Sequence, residues 1–239
     1  YSCFPSCLAN FRLFLACVVL SMSFVVVARD FSQDFAVVLA NEKTEARFGT
    51  IPLDRTLIAK AIANAARYGA TGVVVKFFLD QPRSSEGDQQ LAQSLSMLPV
   101  ILQARIDDTE KSPNVLPERL TMGRTHMQSS VQGESGWIPL PALADASHAV
   151  CFADFNASPI PLLETYRGNT VKSLLLCPVE LAVGQKAVIR PEKEVSVGDL
   201  RIPLDGQNRV SLTVQPDATF PIFQFDDLID GTLAHNALK

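Results

Sequence analysis

The sequence predicts an α/β fold: a single domain with a mainly parallel sheet flanked by helices, a late antiparallel β layer, and a membrane helix in front. Three observations carry this. Apolar runs of strand length alternate with helical periodicities from residue 35 to residue 183. After Gly184 the texture changes to short alternating runs separated by Gly-Asp and Asp-Gly pairs. Residues 13–28 (LFLACVVLSMSFVVVA) hold no charge at all.

Taken in order, residues 35–40 (FAVVLA) are long enough for one buried strand, and the polar stretch 41–50 with Gly49 reads as a loop. Asp54, just after Pro52, is a candidate N-cap. Leu57, Ile58, Ala61, Ile62, Ala65 and Ala66 then form one helical face, which Gly69 ends. Residues 71–79 (TGVVVKFFL) resume as a strand, so strand, helix and strand make a right-handed βαβ unit with parallel strands. A helix over 88–98 stops at Pro99, and 100–106 is the next strand. Residues 107–136 carry Pro113, Pro117, Gly123 and Gly133 without a sustained period, and a loop of that length tends to be functional or mobile. A short helix over 139–147, a strand over 149–154 and an apolar helix over 170–183 follow. Strands are expected at 187–190, 194–197, 201–204 and 209–214, with turns at Gly198-Asp199 and Asp205-Gly206, and a last helix starts at Asp226.

Residues 1–29 differ from the rest and form a leader, leaving 30–239 as the domain. A core over 13–28 spans ~24 Å as a helix, and Phe11 with a snorkelling Arg12 extends it toward the ~30 Å hydrocarbon thickness. A buried soluble helix lacks the polar face it would need. A signal peptide cut after Ala28 has an apolar core longer than usual, so an uncleaved anchor is the preferred reading. Arg12 and Arg29 flank the core and nearly cancel as orientation signals. The chain begins at Tyr1, which suggests that an upstream piece is missing.

The net charge of −4 and the lack of a basic block argue against nucleic acid as a partner. Charged residues make up 19% and apolar residues 47% of the chain, which excludes a disordered one. Cys151 and Cys177 lie in apolar runs; they read as small buried hydrophobes, while an oxidising compartment would permit a disulfide between them. No nucleotide-binding glycine pattern, zinc-protease motif or nucleophile elbow is present. His126, His148 and His235 have no ligand-spaced partner, so no metal and no cofactor are expected. The carboxyl ends of the predicted parallel strands offer Asn41, Glu42, Asp80, Arg105, Asp107, Asp108, Asp154 and Asn156 as a polar rim for a ligand. Turn and capping preferences explain the same residues without any function.

Four stretches together resemble the CHASE domain of type two, an extracytoplasmic sensor of bacterial signalling proteins. They are Asn41-Glu42-Lys43-Thr44; Ile51-Pro52-Leu53-Asp54-Arg55 with the helix closing at Gly69-Ala70; Asp88-Gln89-Gln90-Leu91-Ala92; and the series Pro139-Leu140-Pro141, Phe152-Ala153-Asp154, Ser173-Leu174, Phe220-Pro221 and Asp227 to Gly231. Their order, more than any one motif, makes the likeness. The resemblance implies an N-terminal membrane helix, a periplasmic domain and a following output domain, with the chain stopping about where such domains continue into one more strand. It implies no enzyme in this segment. Expected partners are a small molecule or a periplasmic protein, and the membrane through the N-terminal helix, with room for a homodimer. Two positions depart from the family, which has Asp where Asn41 and Lys76 stand. Candidate pocket residues are therefore Asn41, Glu42, Lys76, Asp80 and Asp154. Lys76, inside an apolar strand, either snorkels to an edge or forms an internal ion pair with Glu42 or Asp154 that closes the pocket. A sensor, a scaffold that has lost sensing and an α/β enzyme are the three functional classes; the scarcity of histidine and the lack of a nucleophile–base pair leave the enzyme weakest.

Overall fold

The computed structural model describes residues 31–110, 112–155, 158–212 and 220–239. The expected anchor at 13–28 lies outside them, and no helix among the described residues is long and apolar enough to cross a membrane.

Along the chain, β1 (Val37–Leu39) runs into α1 (Glu42–Phe48), where a loop was expected. The amphipathic α2 (Arg55–Arg67) starts at Asp54, whose carboxylate accepts from the Thr56 N–H, and leads to β2 (Val73–Val75). Next come α3 (Ser85–Ser94), capped by Ser84, and β3 (Val100–Ile106), the expected strand to the residue. The long connection holds β4 (Gln132–Gly133) and ends in β5 (Gly136–Trp137), followed by α4 (Pro141–Ala146) and β6 (Ala149–Phe152). A second half contains β7 (Ile160–Pro161), β8 (Leu163–Tyr166), β9 (Asn169–Lys172) and α5 (Leu176–Val183). It closes with β10 (Val188–Arg190), β11 (Glu194–Val197), β12 (Leu200–Pro203), β13 (Arg209–Val210), β14 (Ile222–Gln224) and α6 (Phe225–Asp230).

One mainly parallel sheet does not form. The described strands divide among five sheets, and in the largest β2, β3 and β6 run parallel while β5 joins β3 antiparallel. The expected βαβ pairing also fails, because β1 lies parallel to β14 and not beside β2. The late antiparallel layer is present as β10-β11-β12, turning at Gly198. β13 pairs with β7 rather than with β12, so Asp205-Gly206 closes no hairpin. Part of the expected helix over 170–183 is instead β9, paired with β8 across Arg167-Gly168.

Alternation along β3 divides the core. Val100, Leu102 and Ala104 are fully buried with Ile58, Ile62 and Leu91 of α2 and α3. Ile101 points the other way, into a cluster with Cys151, Cys177 and Leu181. Cys151 and Cys177 form a disulfide, which ties β6 to α5 across a loop of 26 residues. Closing a loop of that length in the unfolded chain stabilises the fold by about 3.5 kcal/mol. Reducing the wild-type chain should lower its unfolding free energy by about that amount in urea titrations. Superimposable curves with and without dithiothreitol would show that the bond carries no stability.

Candidate functional site

Of the residues that the sequence placed at strand ends, Arg105 and Asp154 meet, while Asn41 and Asp80 each make contacts of their own. Asn41 is the N-cap of α1: its Oδ1 accepts from the N–H groups of Lys43 at 2.9 Å and Thr44 at 3.3 Å, and Thr44 Oγ1 accepts from the Asn41 N–H. Its Nδ2 donates to Gln224 Oε1 at 2.6 Å, and Thr44 Oγ1 donates to Asp226 at 2.6 Å. Asn41 therefore stitches α1 to β14 and α6. Glu42 lies exposed in the first turn of α1, where its charge favours the helix N-terminus.

Asp80 accepts from its neighbour Gln81, and its carbonyl accepts from Asn114 Nδ2 at 2.6 Å. Close to it lies Arg55, 1% exposed, with Nε 3.2 Å from Asp88 and an Nη donating to the Gln81 carbonyl at 3.0 Å. Burial lowers the Arg55 pKa, and Asp88 opposes that shift most strongly. Two stretches of the family likeness, the one ending at Arg55 and the one starting at Asp88, thus prove to be partners in one ion pair between α2 and α3.

Asp154, with a side chain only 7% exposed, follows β6 and accepts from the Ile106 N–H at 2.9 Å. Arg105 Nε stands 3.5 Å from its Oδ1, close enough for an ion pair but without hydrogen-bond alignment. The Arg105 guanidinium also lies over the Trp137 ring, at 5.4 Å. β5 can approach β3 this closely because Gly136 has no Cβ; one would sit 1.9 Å from the Arg105 carbonyl oxygen. The other neighbour of Asp154 is Glu164 of β8, fully buried, whose two oxygens meet no nitrogen or hydroxyl donor among the described residues. Burial pushes the Glu164 pKa up to about 10, and the neighbouring Asp154 pushes the same way. That shift keeps Glu164 in its neutral form at pH 7, with its O–H the donor toward the Asp154 carboxylate. Burial raises the Asp154 pKa too, against the pull of that bond, the Ile106 N–H and Arg105. Glu164 escaped the sequence reading; its one signal was a lone charge in the apolar run 160–166.

Lys76 follows β2 and is exposed, its ammonium 5.8 Å from the Phe155 ring centre. No ion pair among the described residues joins it to Glu42 or Asp154, so the internal pair is corrected: solvent, not a carboxylate, hydrates the ammonium. Beside Lys76 opens a cleft of about 460 Å³. Every residue of β1 and of β2 lines it, together with apolar side chains of α2, α5 and α6, among them Ile62, Leu181 and Phe225. Asp34 and Lys76 are its charged lining residues. Among the described residues no group of three His, Cys, Asp or Glu could hold a metal ion.

The family model described as the CHASE2 domain matches residues 12–239. The chain belongs to the CHASE2 family, whose members are extracytoplasmic sensory domains. No curated protein and no solved structure shows significant similarity to it.

Proposed function

Because the chain is a CHASE2 domain, we propose that it is the sensory part of a membrane-anchored signalling protein. It would be held outside the cytoplasm by the uncharged segment 13–28, with the cleft beside Lys76 as receiving site. The family match over residues 12–239 carries this reading. Two further features support it. The Cys151–Cys177 disulfide suits an oxidising compartment. The cleft of about 460 Å³ has the size and apolar lining of a small-ligand site. The scaffold alternative, with sensing lost along with the two carboxylates at positions 41 and 76, loses one support, since Lys76 does not close the pocket with an internal ion pair but lies exposed at the cleft. A cation at this position, where the resemblance implies an Asp, favours a ligand that brings a carboxylate.

The test is topological. Alkaline phosphatase fused after Gly231 in a bacterial host should be active, and green fluorescent protein at the same site should stay dark. The reverse pattern would overturn the extracytoplasmic placement and with it the sensory reading.

A further inference from the structure

The carboxyl ends of β2, β3 and β6 carry a set of donors that the fold does not use. Alternation puts Gln103 and Arg105 on the face of β3 that Ile101 shares with the disulfide, and the register sets Gln103 beside Cys151. Trp137 pairs with Arg105 across β5 and β3, so its side chain stands on the same face. Lys76 follows Val75, which points into the cluster with α2, and so rises from this face too. Its ammonium lies 5.8 Å from the ring centre of Phe155, which follows β6 and packs against the disulfide cluster. β3 runs between β2 and β6, so the Lys76 side chain crosses over β3, away from the cleft, which no residue of β3 lines.

Among the described residues, the side chains of Lys76, Gln103 and Arg105 donate no hydrogen bond. Gln103 is only 5% exposed, yet its carboxamide meets no described partner. Arg105 approaches Asp154 through Nε at 3.5 Å, without alignment, and leaves both Nη groups of its fork unused. Donors unspent at this degree of burial are uncommon in a folded chain. The charges point the same way. Lys76 and Arg105 bring two positive charges, Asp154 one negative and the neutral Glu164 none, so one positive charge is left over. An aromatic ring lies against each cation: Phe155 beneath Lys76, and Trp137 beneath Arg105 at 5.4 Å. Both rings are partly exposed, and Phe78 meets Trp137 edge-on at 4.4 Å.

We propose that this face of the sheet binds a small organic monocarboxylate. The Arg105 fork, the Gln103 amide and the Lys76 ammonium hold its oxygens, and its apolar body lies against Trp137 and Phe155. A planar carboxylate matches the fork of a guanidinium, and its single charge equals the one left over; a phosphate dianion exceeds it. The place is also the one that open parallel sheets use, beyond the carboxyl ends of the strands. The site adjoins the cleft and shares Lys76 with it. It deepens the sensory reading and rests on that reading for what binding accomplishes, with a small organic acid as the signal.

Trp137 is the only tryptophan of the chain, so its fluorescence reports on this site alone. The experiment titrates the full 239-residue chain in detergent micelles with cyclohexanecarboxylate at constant ionic strength, following Trp137 emission. A saturable change is expected with the acid. Its uncharged analogue cyclohexanemethanol should give none, and inorganic phosphate should bind at least tenfold more weakly than the acid. Arg105→Lys keeps a cation beside Asp154 but removes the fork, and should weaken the acid at least tenfold. Lys76→Gln, at an exposed position, and Gln103→Leu, on an apolar face, should each weaken it at least fivefold. The comparison of acid, alcohol and phosphate on the wild-type chain reads the same contacts, should a variant fail to fold. No saturable change with the wild-type chain overturns the proposal. So does an equal response to the alcohol, which would make the face an apolar patch, or tighter binding of phosphate. Unchanged affinity in folded Arg105→Lys and Gln103→Leu variants overturns it as well. Each of these failures leaves the alkaline phosphatase result, and so the sensory reading, standing.

Discussion

Replacing Ile62 with Asp should leave the chain unfolded or less stable by on the order of 5 kcal/mol. Ile62 is 2% exposed on the buried face of α2, inside the cluster with Leu91, Leu102 and Phe225, and its side chain also forms part of the cleft wall. The substitution removes an aliphatic side chain from a packed site and puts a carboxylate among the apolar neighbours of that cluster. Either fault alone is costly; together they exceed what a domain of this size can spare. Lys60→Asp on the exposed face of the same helix is the control. It turns a long-range attraction to Asp230 into a repulsion, either one screened by solvent, and should shift the thermal midpoint by no more than about 2 °C. Circular dichroism melts of both variants decide the matter. Equal midpoints would mean that α2 turns a different face to the core.

That contrast was legible in the sequence because α2 is long and strongly periodic, and because Asp54 and Gly69 mark its ends. β3 was legible for the opposite reason: with Val100 to Gln103 all buried it shows a continuous run, as a strand covered on both faces does. What failed were choices made at long range. β1 could have paired with β2 or with β14, and local pattern cannot weigh a partner more than 180 residues away, as in the Asn41–Gln224 contact with |i−j| of 183. α1 has almost no apolar face. It is held by its capping box and by the paired Arg47–Asp230 bonds at 2.6 and 2.7 Å, so its polar sequence read as loop. The β8-β9 hairpin was missed because the apolar run after Asn169 resembles a helix. The cue was Arg167-Gly168, both at positive φ, a two-residue turn suited to the strand twist. Of the candidate site, Lys76 fell at the cleft, while Asn41 and Asp80 proved to be spent on capping and loop contacts.

Glu164→Gln should abolish most of a pH dependence that the wild-type chain shows between pH 5 and pH 8. Glu164 sits fully buried against Asp154, and burial holds its pKa at about 10 in the folded chain against an ordinary value of 4.5. The sign follows from proton counting. Above pH 4.5 the unfolded chain releases this proton, while the folded chain keeps it until about pH 10. Unfolding therefore releases a proton throughout that window, and stability falls as pH rises. The contribution is fully present below the unfolded value and is lost on the way to the folded one. At about 1.36 kcal/mol per unit, three pH units weaken the wild-type fold by on the order of 4 kcal/mol. Glutamine keeps the shape and places an N–H where the acid placed its O–H, so Asp154 still receives a hydrogen bond and Arg105 still faces one negative charge. Nothing at position 164 then titrates, and urea midpoints of the variant should stay high at pH 8 while those of the wild type drop. Glu164→Leu separates the bond from the charge: it also cannot titrate, yet it leaves Asp154 one donor short, so it should run parallel to glutamine at a lower stability. Parallel curves for wild type and Glu164→Gln would mean that Glu164 is ionised in the folded chain, and Asp154 and Glu164 would then not share a proton.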